Sequence, residues 1–77
     1  MVTMYSTTWC GYCHRLKSQL SRENIEYRVV DIERDHDAAR FVESVNGGNQ
    51  TVPVIRFPDG ATTTNPSIRE LQDRLAA

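Results

Sequence analysis

Cys10 and Cys13 are the only thiols in this 77-residue chain, and Gly11 and Tyr12 separate them. Thiols at that spacing can close a disulfide across one helical turn, and a thiolate attacking there can form and then lose a mixed disulfide. Thiol–disulfide exchange is therefore one use for the pair. A second is zinc binding, since Cys-x-x-Cys is half of a zinc site and His14 and His36 complete four ligands by count. A third is covalent haem attachment, because Cys10-Gly11-Tyr12-Cys13-His14 has that spacing too. Spacing leaves all three open, and the surrounding elements have to decide between them.

Residues 1–77 have room for one domain, of a size that buries ~60% of its unfolded surface. With 39% hydrophobic and 25% charged residues, the composition is that of an ordinary globular protein. A formal net charge of -1, with Lys and Arg scattered along the chain, offers no basic stripe, so no nucleic-acid partner is expected. Met1-Val2-Thr3-Met4-Tyr5 has neither the basic region nor the long apolar run of a signal or membrane span. The expected compartment is the cytoplasm, with no membrane association. There a lone cysteine pair is catalytic, redox-active or metal-binding more often than a structural staple. The expected compartment also weighs against haem, whose c-type attachment takes place outside the cytosol.

Val2–Ser6 reads as a short central strand with apolar residues for both faces. After Trp9 the period becomes helical: Tyr12, Leu16 and Leu20 form one row, Cys13 joins that face, and the helix should end near Glu23-Asn24. Ile25–Ile32 reads as a second strand, Tyr27 and Val29 facing one way and Val30 and Ile32 the other. The charged loop Glu33–His36 follows. Asp35 or Asp37 then caps a helix with Ala38, Phe41, Val42 and Val45 as its buried stripe, stopped by Asn46-Gly47-Gly48-Asn49. Thr51–Phe57 is β-branched and apolar with Pro53 near its start, where a missing N–H does least harm. Pro58-Asp59-Gly60 turns it back onto Ala61–Thr64. A last helix buries Ile68, Leu71 and Leu75; of its two possible starts, Asn65 with Pro66 at the first turn is preferred over a Ser67/Glu70 capping box. The sum is β-α-β-α-β-β-α, an α/β four-stranded mixed sheet with helices on both faces.

That order, with Trp9-Cys10-Gly11-Tyr12-Cys13 after the first strand and Thr51-Val52-Pro53 opening the third, resembles the thioredoxin fold in its small glutaredoxin form. Four motifs narrow the resemblance to the mycoredoxin branch: Thr8-Trp9-Cys10-Gly11-Tyr12-Cys13, Ser44-Val45-Asn46-Gly47-Gly48-Asn49, Thr51-Val52-Pro53 and Thr64-Asn65-Pro66-Ser67. Members of that branch reduce mixed disulfides between proteins and mycothiol, a thiol built of acetylated cysteine, glucosamine and inositol. The resemblance implies a monomeric enzyme with no bound cofactor. Mycothiol would be its co-substrate and mycothiolated proteins its partners, with mycothiol disulfide reductase coupled indirectly.

At the start of a helix Cys10 meets free N–H groups that favour a thiolate, and thiols so placed are acidified and nucleophilic. The resemblance makes Cys10 the nucleophile, Cys13 an auxiliary thiol, and the two together a redox-active disulfide. It also implies a cis Pro53 opposite the pair, with Val52 offering its backbone to a peptide-like thiol. Trp9 and Tyr12 would form a surface for the ligand's sugar, although Tyr12 reads nearly as well as core. Glutaredoxins that use glutathione meet its carboxylates with a lysine three residues before the nucleophile; this chain has Thr7 there. Thr7, Asn65 and Ser67 instead supply the hydroxyl and amide partners of a neutral sugar thiol. Arg15 and Lys17 read as a solvated face, His14 as a surface histidine, and Phe41, Phe57 and Tyr27 as core. Two rivals stay open: a dithiol redoxin fed by thioredoxin reductase and serving ribonucleotide reductase, and a haem or zinc module built on Cys10, Cys13 and His14. The first lacks its Trp-Ser-Gly-Phe-Arg-Pro signature here.

Overall fold

The computed structural model describes residues 1–76 as β1(Val2–Ser6), α1(Gly11–Arg22), β2(Tyr27–Asp31), α2(His36–Val45), β3(Val54–Arg56), β4(Thr62–Thr64) and α3(Ile68–Ala76). The expected element order holds throughout. One sheet runs β2-β1-β3-β4. Central β1 pairs in parallel with β2, Met4 opposite Val29, and antiparallel with β3, Met4 opposite Ile55; β4 closes the antiparallel hairpin with Thr63 opposite Ile55. This is the thioredoxin-like arrangement.

Alternation along β1 divides the core in two. Val2 and Met4 point to a larger cluster with Leu16 and Leu20 of α1, Ile55 of β3, Phe57 and Leu71 of α3. Tyr5 points the other way and packs with Ile32, Ala38 and Val42 of α2, and Val54. Helices thus cover both faces, with α1 and α3 sharing the face that holds the two cysteines. Burying a side chain such as Leu20 or Leu71 is worth about 1.5–3 kcal/mol, so the larger cluster supplies most of the drive that docks α1.

Local chemistry sets the ends. α1 stops where Asn24 takes φ 57 and the Ile25 N–H reaches back to the Leu20 carbonyl at 2.9 Å, a Schellman closure in which Asn tolerates the left-handed backbone. The Asp35 carboxylate accepts from the Ala38 N–H at 3.1 Å and caps α2, which makes His36 the first residue of that helix rather than part of the preceding loop.

Further expectations are corrected. α3 begins at Ile68, not Pro66, and Ser67 Oγ accepts the Glu70 N–H at 3.1 Å, so Ser67 and not Asn65 is the cap. Asn65 has φ 48, a left-handed conformation foreign to a cap, and its N–H is committed to the Pro53 carbonyl at 2.8 Å. Tyr12, placed in the buried row by its spacing, is 65% exposed, because that row continues past the end of the core. Val45 and Leu75 are exposed as well; each lies in the last turn of its helix, where the helical period outlasts the surface it packs on. Phe41 is half-buried, stacked on Tyr5 at 5.0 Å between centroids and capped by the Arg56 guanidinium.

Candidate active site

Cys10 is the N-cap of α1. Its backbone is extended, and its Sγ accepts the Cys13 N–H at 3.1 Å, occupying one of the free donors at the helix start. The helix dipole points its positive end at the same sulfur, an electrostatic setting suited to a thiolate. The Cys10 backbone is tied down from both sides, since its N–H donates to Thr7 and its carbonyl accepts from His14. His14 is exposed and its Nε2 lies 2.8 Å from the Thr8 carbonyl. A carbonyl only accepts, so the ring donates and latches the loop before Cys10 onto the first turn.

One turn further, Cys13 is fully buried among Val2, Met4, Leu16 and Leu20. Burial, and then a hydrogen bond with the Cys10 side chain, push its thiol up from the ordinary 9.0 to about 12. A backbone hydrogen bond from Thr7 and the charge of Lys17 oppose the rise, while negative charge on Cys10 adds to it. Both cysteines are free thiols. The pair is chemically unequal: one sulfur at a helix end, the other sealed in the core.

The third side of the site is the loop ahead of β3. The Val52–Pro53 peptide bond is cis, and the Val52 carbonyl lies 3.9 Å from Cys10 Sγ, within reach of the weak S–H donor. Asn46, at the end of α2, fastens this loop. Its Nδ2 donates to the Thr51 carbonyl at 2.9 Å while its Oδ1 accepts from Thr64 Oγ1 at 2.7 Å. Asn49 adds a second tie, its Oδ1 accepting both the N–H and the hydroxyl of Thr51. In the sequence Asn46 reads only as a helix stop. Its positioning role depends on contacts 5 and 18 residues away in the chain, which no local pattern signals.

The sequence-predicted residues fall into two groups. Trp9 and Tyr12 flank Cys10 in the chain and are exposed, and the loop of Val52 and Pro53 lies across from it. Asn65 is exposed and bonded through its backbone to Pro53, with Ser67 next along the same rim. Thr7 is separated from these: its side chain is buried, and Oγ1 has no hydrogen-bond partner among the described residues. Among the described residues no group of three or more His, Cys, Asp or Glu side chains is gathered to hold a metal ion.

A thioredoxin-like sheet that places a helix-capping thiol against a cis-proline loop defines a thiol–disulfide redox protein. The Glutaredoxin family profile matches residues 2–60, and the chain belongs to that family. It is 55% identical over 74 residues to a Mycobacterium tuberculosis chain described only as a glutaredoxin, covering 96% of this chain and 88% of that one. It is 41% identical over 76 residues to Mycoredoxin 1 of Corynebacterium glutamicum, covering 99% of this chain and 94% of that one, and is therefore a mycoredoxin homologue. A glutaredoxin structure from Archaeoglobus fulgidus superposes with a TM-score of 0.74 at 24% identity, over 99% of this chain and 86% of that one, which speaks to the fold. Family membership implies thiol–disulfide oxidoreductase chemistry.

Proposed function

We propose that this chain is a monomeric, cytoplasmic oxidoreductase that reduces protein–mycothiol mixed disulfides. The observation that carries the reading is the 41% identity to Mycoredoxin 1 across 76 residues. Two features agree with it: the position three before Cys10 is a buried threonine, not a cation, and Asn65 and Ser67 on the rim present neutral polar groups.

In the first step the Cys10 thiolate attacks the mycothiol sulfur of the mixed disulfide. The old S–S bond breaks, and its electron pair leaves on the protein thiolate, which takes a proton from water. Once Cys10 has lost its proton, the Val52 carbonyl loses its S–H partner and is free to pair with the amide of the incoming cysteine, as an added strand would. A second mycothiol thiolate then attacks the mycothiol sulfur on Cys10, releasing Cys10 and forming mycothiol disulfide. The mixed disulfide and one free mycothiol thus give the protein thiol and mycothiol disulfide, and mycothiol disulfide reductase supplies the two electrons that return the latter to two mycothiols. No step requires Cys13.

Side-by-side turnover with mycothiol, glutathione and thioredoxin reductase as electron donors tests the reading. Mycothiol is expected to be preferred over the other two. Rapid turnover with thioredoxin reductase and none with mycothiol would replace it with a dithiol redoxin.

A further inference from the structure

A groove of about 350 Å³ runs between α1 and the start of α3, within the ~300–1,000 Å³ range of small-molecule sites. Tyr12, Arg15 and Gln19 line one wall, and Asn65, Ser67 and Glu70 the other. Two links along the chain connect the groove to the reacting sulfur. Tyr12 is two residues from Cys10, and Asn65 is bonded to the Pro53 carbonyl of the loop whose Val52 carbonyl lies 3.9 Å from Cys10 Sγ. Among the described residues neither Arg15 nor Glu70 forms an ion pair, so the groove presents one cation, one anion, two amides and hydroxyls with no net charge.

We propose that this groove receives the polyhydroxylated end of the small thiol attached to Cys10, and that Arg15, Gln19 and Glu70 determine its specificity; the inference rests on the mycothiol reading above. A carboxylate only accepts hydrogen bonds, so an anionic end placed here meets Glu70 unfavourably. A hydroxyl both donates and accepts, so neighbouring hydroxyls of a cyclitol satisfy Glu70 and Arg15 together, with Gln19 bonding either way. Tyr12, 65% exposed, covers the sugar that links the cyclitol to the thiol.

The test compares kcat/KM for mycothiol with that for a truncated thiol lacking the inositol, in the wild-type enzyme and in Arg15→Ala, Gln19→Ala and Glu70→Gln. The ratio of full to truncated thiol is expected to fall about fivefold to tenfold per variant, the loss of one hydrogen bond. Sulfur-free glucosaminyl-inositol, added to the ¹⁵N-labelled protein, is expected to shift the amides of Arg15, Gln19 and Glu70. Wild-type turnover with mycothiol but an unmoved ratio in all three variants, or shifts confined to the far side of the Val52–Pro53 loop, overturns the groove assignment alone. No turnover of the wild type with mycothiol overturns the functional reading, and the groove assignment falls with it.

Discussion

The two sulfurs of this protein lie one helical turn apart, in opposite electrostatic surroundings. Cys10 ends the helix, accepts an N–H, and faces a backbone carbonyl across the loop. Cys13 has no exposure at all, and burial holds its proton on until pH about 12. The same fold therefore builds one reactive thiol and one reluctant one. The difference comes from position along α1: the N-cap meets unpaired donors, while three residues later the helix has turned its side chain into the core.

The harshest trial of this contrast is Cys10→Ser. Serine retains the cap but supplies no thiolate, so turnover in a coupled mycothiol assay should fall to the no-enzyme background. Residual activity well above that level would mean that Cys13 can attack unaided, and the contrast would fail.

The next effect is one of pH. When Cys10 carries an adduct, Cys13 can displace it only as a thiolate. The Cys10 charge and its hydrogen bond then no longer raise the Cys13 thiol, but burial, the largest cause, persists. Closure of the Cys10–Cys13 disulfide, in which the Cys13 thiolate attacks Cys10 Sγ and the adduct leaves as its thiolate, should accelerate about tenfold per pH unit across neutral and mildly alkaline pH, measured by the adduct released. A plateau near neutrality would break the argument. Stability responds with the opposite sign. The folded thiol titrates above its unfolded value, so its contribution is complete below pH 9.0 and is lost as pH rises towards about 12. Thermal melts of the wild type should show that alkaline decline, and melts of Cys13→Ser should show less of it.

Most of the fold is legible in the chain because its period switches cleanly between strand and helix and its breakers, Asn24, Asn46-Gly47-Gly48 and Pro58-Asp59-Gly60, stand between the runs. The nucleophile is legible too, since a helix period beginning after Trp9 forces Cys10 to its start. What the chain hides is where packing ends. Spacing gives Tyr12, Leu16 and Leu20 equal standing, yet only the last two meet the core. The start of α3 is hidden for another reason: Asn65 is a favourable cap in isolation, but its N–H bonds Pro53, a tertiary contact that outweighs local preference.

Asn46 extends the contrast between the thiols to their surroundings, since the loop it fastens faces Cys10. Asn46→Ala removes the bonds to Thr51 and Thr64 and loosens Val52. With mycothiol, KM should rise about fivefold with kcat nearly unchanged. The rate of Cys10–Cys13 closure, which does not use Val52, should stay as it was. A fall in both would make Asn46 a general support of the fold.

The smallest effect on turnover is expected from Cys13→Ser, and it separates reactivity from packing. In the two-mycothiol cycle the adduct on Cys10 is released by an external thiolate, so the variant should keep most of its turnover. Its stability should suffer more than its activity. The serine hydroxyl is smaller than the thiol and harder to desolvate in a space lined by Val2, Met4, Leu16 and Leu20, and the partners at the Thr7 backbone and the Cys10 side chain offset only part of a cost of about 1–3 kcal/mol. Urea denaturation should show that loss in the midpoint with the slope unchanged. If turnover collapses as completely as in Cys10→Ser while the variant remains folded, Cys13 is the resolving thiol of a dithiol cycle, and its high proton affinity is overcome during the reaction.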